Sequence, residues 1–312
     1  MAKFLILRFS SIGDIVLTTP VIRCLKKQLN CEIHYATKKS FVSILEPNPY
    51  IDKIIPLEDS FKNFIKPLKD EKYDFIIDLH HNLRTARIKL ALGVKSKSFD
   101  KLNTAKWKMV KFKKNTLPDI HIVDRYMETV INLGVKNDDE GLDYFLKEED
   151  TYKESLPNSY EVYAIGGQHN TKKMPVKKII EYCNKLNVPV LLLGGKEDSR
   201  AGEEIEKASI HTTNLCGKTS LGNSAWIIKN SKKAHTHDTG MMHIAAAFNK
   251  PIVSIWGNTI PAFGMYPYFK ENREPEGTKT LEVQGLKCRP CSKIGFETCP
   301  KRHFKCMNDI TF

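Results

Sequence analysis

Three segments of this sequence carry residue types that can bind a phosphorylated ligand and move a proton. The first is the turn at 10–14, Ser-Ser-Ile-Gly-Asp, which follows an apolar stretch and ends in the carboxylate of Asp14. A carboxylate that projects from such a turn can serve as a general base. The alternative is that Asp14 only caps the helix that follows. The turn therefore makes Asp14 a candidate base, and leaves a structural cap as the competing interpretation.

The second segment begins at His237 and reads His-Asp-Thr-Gly-Met-Met-His before an alanine-rich run. Asp238 or Thr239 can cap a helix that starts at Gly240, and the unpaired N–H groups of its first turn can bind a phosphate. The helix dipole adds about 0.3–1 kcal/mol to such binding at an exposed site. An ordinary capped helix would explain the same residues.

The third segment places Gly166 and Gly167 after another apolar stretch, with Lys172 a few residues further on. Paired glycines allow a close backbone approach, and Lys172 can then reach a diphosphate. The alternative is a glycine-rich turn with a solvated lysine.

These segments need a scaffold of strands and helices, and the chain alternates the two throughout. Strands alternating with helices predict parallel α/β sheets with ligand loops at the carboxyl ends of the strands. The predicted strands lie at 4–7, 32–36, 53–56, 75–78, 162–165, 190–193, 233–236 and 252–255. The predicted helices include one that begins near Ile15 and others at 122–133, 175–186, 200–208, 222–230 and 240–248.

The chain has 312 residues, of which 41% are hydrophobic, and a formal charge of +13. This length favours two domains. A polar, proline-containing stretch at 147–160 predicts the linker, so we expect Rossmann-like domains at 1–157 and 158–312, facing each other across a cleft. No apolar run approaches the roughly 18–20 residues that span a bilayer, and the N-terminus lacks a signal-peptide pattern. We therefore expect a cytoplasmic protein.

In combination, the motifs resemble glycosyltransferase family nine, the bacterial lipopolysaccharide heptosyltransferases. The resemblance extends over essentially the whole chain. It rests on Phe-Ser-Ser-Ile-Gly-Asp-Ile-Val-Leu-Thr-Thr-Pro at 9–20, Lys-Lys-Met-Pro at 172–175, Asn-Leu-Cys-Gly-Lys-Thr-Ser-Leu at 214–221, Asp-Thr-Gly-Met-Met-His at 238–243 and Gly-Asn-Thr at 257–259. Family members commonly have Trp where Met174 stands, and a small or amide residue where His237 stands.

The family implies a GT-B fold, with the acceptor on the N-terminal side and the nucleotide-sugar mainly on the C-terminal side. It also implies inverting transfer of heptose from an ADP-heptose donor, with no metal or other cofactor required. By resemblance, Asp14 is the catalytic base and Lys172 holds the donor phosphates. The remaining donor-site residues implied are Ser10, Ser11, Gly13, Gly166, Gly167, Asp238, Thr239, Gly240, His243 and Thr259.

Cationic residues predict an anionic acceptor of the lipopolysaccharide type. One group follows the strand at 75–78, and another lies between 95 and 114, where eight lysines accompany a single acid, Asp100. Arginine and lysine suit phosphates and acidic sugars, whereas apolar residues among the lysines suit peripheral contact with the inner membrane surface. A solvated helix face is the alternative. The predicted acceptor residues are His80, His81, Arg84, Arg87, Lys106, Lys108 and Lys111.

Eight cysteines are too few for a disulfide scaffold in a chain of this length. Four of them are clustered near the C-terminus, with the first pair at the spacing of a zinc knuckle: Cys288, Cys291, Cys299 and Cys306. Free thiols are the preferred interpretation and a structural zinc the alternative.

Other functions fit less well. A different nucleotide-sugar, or a non-catalytic protein that binds nucleotide-sugar or glycan, would keep the same fold. An NAD-dependent oxidoreductase is disfavoured because the first turn lacks the three-glycine fingerprint. No nucleic-acid module accompanies the positive charge, so nucleic acid is not an expected partner.

Overall fold

The computed structural model describes all 312 residues and contains two compact units. The first comprises Met1–Lys101 and Ile120–Phe145, and the second comprises Leu102–Asp119 and Leu146–Phe312. The chain passes into the second unit after Phe145, just before the predicted linker at 147–160. The domain boundary at residue 157 stays a prediction. The segment Leu102–Asp119, which carries most of the clustered lysines, groups with the second unit. No helix is long and apolar enough to cross a bilayer.

The first unit is built on a sheet of five parallel strands, in the order β3-β2-β1-β4-β5. The helix α6 (Asn103–Phe112) lies between parts of this unit in sequence but belongs to the second unit. In chain order the elements are β1 (Ala2–Leu7), α1 (Ile12–Val16), α2 (Thr19–Gln28), β2 (Cys31–Lys38), α3 (Val42–Leu45), β3 (Lys53–Leu57), α4 (Phe61–Asp70), β4 (Phe75–Asp78), α5 (Leu83–Leu92), β5 (Ser96–Ser98), α6 (Asn103–Phe112) and α7 (Ile122–Met127).

The second unit contains six parallel strands in the order β11-β10-β9-β6-β7-β8. The elements of the second unit are β6 (Glu161–Ala164), α8 (Val176–Cys183), β7 (Val190–Leu193), α9 (Ser199–Ala208), β8 (Thr212–Asn214), α10 (Leu221–Asn230), β9 (Ala234–His237), α11 (Gly240–Ala247), β10 (Ile252–Trp256), β11 (Lys279–Glu282) and α12 (Lys305–Asn308). The predicted α/β class with two parallel sheets is thus confirmed.

Two helices differ from their predictions. The helix expected from Ile15 onward is interrupted, because α1 ends at Val16 and α2 starts afresh with Pro20 in its first turn. Proline has no N–H to donate to the preceding turn and is favoured in the first turn of a helix, so Pro20 marks a new start. The helix expected at 122–133 ends at Met127, and a separate 3-10 turn covers Ile131–Leu133.

A buried ion-pair cluster joins α2 to the last segment of the first unit. Arg23, whose side chain is 2% exposed, pairs with Asp138 at 2.8 Å and also with Asp143. It also donates to the carbonyl of Gly141 at 2.9 Å. Burial alone would raise the pKa of Asp138, but the hydrogen bonds and charge of Arg23 lower it to about 2. The cluster therefore ties residues 138–143 to α2, the helix that follows α1 and Asp14 in the chain.

Replacing Arg23 by Met is expected to lower the free energy of unfolding by about 3–5 kcal/mol, because two carboxylates lose their buried partner. Lys27→Met is the matched control, since Lys27 is half exposed and its ammonium lies 3.9 Å from Asp138, and it should cost less than about 1 kcal/mol. Urea denaturation measures both. Because the folded pKa of Asp138 is lowered, its contribution is present above pH ~4 and is lost as the pH falls toward 2. Equal losses in the two variants would contradict this assignment.

Candidate active site

In the first unit, Asp14 lies in the turn that follows β1. The backbone N–H and the hydroxyl of Ser11 donate to Asp14 Oδ2 at 3.2 and 2.8 Å. Asp14 is thus the third residue of α1 and does take part in the predicted helix cap. Its side chain nevertheless stays 20% exposed. Capping and access to a substrate hydroxyl are therefore compatible at this carboxylate. The neighbouring Gly13 is buried in α1.

Arg8, at the end of β1, holds the other oxygen of that carboxylate. Its Nη2 lies 2.5 Å from Asp14 Oδ1, and its remaining N–H groups donate to the carbonyls of Ser10 and Leu79 and to the Tyr126 hydroxyl. Burial would lower the pKa of Arg8, but the charge of Asp14 raises it above its ordinary value. Arg8 is therefore a permanent cation that fixes the orientation of Asp14. Arg8 was not among the residues predicted from the sequence.

The predicted histidines follow β4, the neighbour of β1 in the sheet. Both of their backbone N–H groups donate to the buried Asp78 carboxylate, at 3.1 and 2.7 Å. Burial, followed by the positive charge of Arg8, lowers the pKa of His80 to about 4. His80 is therefore neutral, and its Nδ1 makes no hydrogen bond within the protein. His81 is exposed and its Nδ1 lies 2.8 Å from the Phe99 carbonyl oxygen.

The other predicted acceptor residues are divided between the two units. Arg84 and Arg87 are exposed on α5, where their guanidinium groups lie over the rings of Phe9 and Phe61 at 5.7 and 4.4 Å. These arginines share the first unit with Asp14. The lysines of the set belong to α6 in the second unit: Lys106, Lys108 and Lys111.

In the second unit, three predicted donor-site residues from distant parts of the chain meet. Lys172 Nζ lies 2.6 Å from Asp238 Oδ2 and donates to the Asp238 carbonyl at 3.1 Å. The hydroxyl of Thr259 donates to the same Asp238 Oδ2 at 2.8 Å. Thr259 is buried, whereas the side chains of Lys172 and Asp238 keep 18% and 11% exposure. The cluster is thus a partly accessible cation beside a carboxylate held on two sides.

The start of α11 lies directly after this carboxylate. Thr239 occupies the cap position, yet its side chain makes no capping bond, and its buried Oγ1 has no hydrogen-bond partner within the protein. Gly240 begins the helix, and His243 is buried in it at 2% exposure. The Asn258 amide, next to Thr259, is also buried with neither polar atom bonded. Asn258 was not among the predicted residues, although it stands inside the Gly-Asn-Thr motif.

The two predicted glycines are explained by close packing. A Cβ at Gly166 would lie 2.6 Å from Asp198 Oδ2, closer than real Cβ contacts allow. A Cβ at Gly167 would lie 3.3 Å from the Lys173 side chain and 3.4 Å from that of Thr239. Side chains at these positions would displace the loop that leads to Lys172. The close packing at both positions therefore explains the two glycines without a ligand.

His237 connects β9 with that same loop. Its ring is fully buried, and its Nε2 accepts the backbone N–H of Met174 at 3.0 Å. Burial lowers the pKa of His237 to about 4, so the ring is neutral and can accept this bond. Met174 is itself 3% exposed and packs into the core of the second unit. The residue that departs from the family pattern at 174 is therefore a core residue.

None of the C-terminal cysteines forms a disulfide. Cys288 Sγ lies 3.7 Å from His303 Nε2, and the Cys291 thiol donates to the Cys288 carbonyl at 3.0 Å. Burial raises the pKa of Cys291 to about 11 and that of Cys306 to about 12. Three potential metal ligands do converge elsewhere, at Glu32, His34 and Glu71. There, Lys3 and Lys53 pair with Glu71, so the group is a charge network.

Two parallel-sheet units, each with polar side chains at the carboxyl edge of its sheet, form the architecture of a GT-B glycosyltransferase. The structure of E. coli ADP-heptose lps heptosyltransferase II is similar, with a TM-score of 0.70, 19% identity and 98% of each chain covered. The structure of E. coli heptosyltransferase WaaC with ADP has a TM-score of 0.67 at 19% identity, and the match covers 89% of this chain and 92% of that one.

The sequence comparisons define the family. The sequence model of Glycosyltransferase family 9 (heptosyltransferase) matches residues 61–276. The chain therefore belongs to glycosyltransferase family 9, and the resemblance noted from its motifs is confirmed. Lipopolysaccharide heptosyltransferase 1 of Campylobacter coli is 27% identical over 290 residues, which cover 82% of this chain and 84% of that relative.

Proposed function

We propose that this protein is an inverting, metal-independent heptosyltransferase that uses ADP-heptose and has Asp14 as its base. Its acceptor would be a lipopolysaccharide core or a related surface glycan. The relatives support the donor, since one is named as an ADP-heptose enzyme and another was solved with ADP. We place the reaction in the cytoplasm, at the cytoplasmic face of the inner membrane. No cofactor and no nucleic acid enter this proposal.

The observation that carries the proposal is the cluster of Lys172, Asp238 and Thr259. An ammonium group has three N–H donors, and Asp238 takes two of those of Lys172. The third is available to a diphosphate oxygen. ADP leaves with growing negative charge, which Lys172 and the N–H groups at the start of α11 would balance. Asp238 would then accept hydrogen bonds from sugar hydroxyls.

On the acceptor side, the arrangement around Asp14 suits proton abstraction. Arg8 and Ser11 hold the carboxylate in one orientation, so little reorganisation is needed when a hydroxyl reaches it. Arg84 and Arg87 are exposed cations in the same unit and would bind acceptor phosphates or acidic sugars. The lysines of α6 would add to this anionic preference.

The test is nucleotide release from a panel of ADP- and UDP-sugars in the presence of deacylated core acceptor, with Asp14→Ala as the inactive control. We expect acceptor-dependent ADP release from ADP-heptose, and a product whose anomeric configuration by NMR is opposite to that of the donor. A product that retains the donor's configuration would refute the inverting mechanism.

The same panel separates the alternatives. Acceptor-dependent release from a UDP-sugar alone would favour the same fold and mechanism with a different donor. Donor binding without release from any sugar, with several core acceptors, would favour a non-catalytic binding protein. We rank these second because Asp14 and Lys172 are both present and both held by specific partners.

A further inference from the structure

Helix α6 presents two large aromatic side chains to solvent. Trp107 is 51% exposed and Phe112 is 58% exposed. Their rings meet edge to face at 5.1 Å, and the Lys111 ammonium lies 5.2 and 5.5 Å from the two ring centroids. No residue of this helix is buried. Single exposed apolar residues are ordinary, but a paired Trp and Phe on one short helix marks an interaction surface.

The helix is held firmly in this exposed position. Lys293 Nζ donates to Asn103 Oδ1 at 3.2 Å at its beginning, and Lys113 Nζ donates to the Pro290 carbonyl at 2.6 Å at its end. Its other face is half-buried through Ala105, Lys106, Met109 and Val110. The aromatic pair is therefore displayed by an anchored helix and is not the result of a frayed end.

The charge around the aromatic pair has one sign. Residues 102–119 contain five lysines and a single acid, Asp119, which lies outside the helix. Lys108, Lys111 and Lys114 are exposed, and the first two stand three residues apart, where like charges repel. A helix with this pattern gains stability when an anionic surface covers it. We define Trp107, Lys108, Lys111, Phe112 and Lys114 as the α6 patch.

We propose that the α6 patch docks this protein onto an anionic phospholipid surface. Indole and phenyl rings favour the headgroup region of a bilayer, and lysines favour its negative potential. A convex helix face that carries exposed aromatic rings and lysines matches the plane of a bilayer surface. The proposal rests on the proposed function only for its choice of membrane, the one that carries the acceptor.

The experiment is flotation of the purified full-length protein with vesicles of phosphatidylcholine alone or with 30% phosphatidylglycerol, without donor or acceptor. We expect binding to the anionic vesicles, lost at high salt, with a blue shift of tryptophan emission. Replacing the three patch lysines by Gln should weaken binding about fivefold per lysine. Trp107→Ser/Phe112→Ser should weaken it about tenfold or more.

Matched controls exist in the same chain. Lys62, Lys66 and Lys69 are exposed on α4, so their replacement by Gln removes the same charge from another helix. Leu90 and Ile210 are 85% and 83% exposed, and Leu90→Ser/Ile210→Ser removes comparable apolar surface. Both control variants should bind as the wild type does. Wild-type binding by the patch variants, or equal binding to neutral vesicles, would overturn the proposal.

Vesicle binding and nucleotide release are measured independently, so this proposal and the proposed function can fail separately. Trp107→Ser/Phe112→Ser should release nucleotide from ADP-heptose at the wild-type rate with a deacylated acceptor, and its unchanged thermal unfolding would show that the fold is intact. Patch-dependent vesicle binding without transfer would sustain this proposal and refute the proposed activity. Transfer without vesicle binding would support the proposed activity and refute docking of the α6 patch onto a membrane.

Discussion

Asp14→Asn is expected to lower kcat by about 10²–10⁴, the range that a positioned general base contributes. The amide cannot take the acceptor proton, but its Oδ1 can still accept a hydrogen bond from Arg8, whose Nη2 lies 2.5 Å from Asp14 Oδ1 in the wild type. The fold around Arg8 should therefore be retained. The affinity for ADP-heptose should change by less than about twofold, because Lys172, Asp238 and Thr259, the residues proposed to bind the donor, belong to the other compact unit.

Single-turnover kinetics and calorimetric titration of the donor measure the two quantities separately. Asp59→Asn is the matched control, since Asp59 is exposed in the same unit, and it should leave both unchanged. Comparable losses in kcat and in donor affinity would contradict the role of Asp14 as a base. They would indicate that the carboxylate only caps α1.

The interior of both sheets could be predicted from the sequence. Parallel strands covered on both faces appear as continuous apolar runs, and Val-Leu-Leu-Leu at 190–193 is an example whose residues are 0–1% exposed. β5, β8 and β11 were missed. They are edge strands with polar sequences, such as Ser96–Ser98. An edge strand pairs on one side only and needs no apolar pattern, so its signal comes from tertiary pairing.

The candidate site was predictable in its residues and not in its contacts. Lys172 and Asp238 were identified by motif, but their 2.6 Å contact joins positions 66 residues apart. Arg8 was missed because its partners are tertiary, with Tyr126 lying 118 residues further along the chain. An arginine directly after a buried strand was the available signal, since a buried guanidinium requires partners. Asn258, whose buried amide makes no hydrogen bond within the protein, had no sequence signal beyond its place in the Gly-Asn-Thr motif.

Lys172→Ala is expected to lower kcat/KM by about 10²–10³, which is the usual loss when one donor to a developing anion is removed. The substitution also leaves Asp238 without its cation, held only by Thr259. An unpaired carboxylate beside a diphosphate adds repulsion to the loss of attraction. The affinity for ADP should therefore fall in the single variant more than the removal of one ammonium hydrogen bond would require.

The double variant Lys172→Ala/Asp238→Asn separates these two contributions. Neutralising Asp238 removes the repulsion, so ADP should bind the double variant more tightly than it binds Lys172→Ala, although still more weakly than the wild type. Lys177→Ala controls for the loss of a nearby exposed lysine and should bind ADP normally. If Lys172→Ala bound ADP as the wild type does, the ammonium would serve only to hold Asp238. The leaving-group charge would then have to be balanced by the N–H groups at the start of α11.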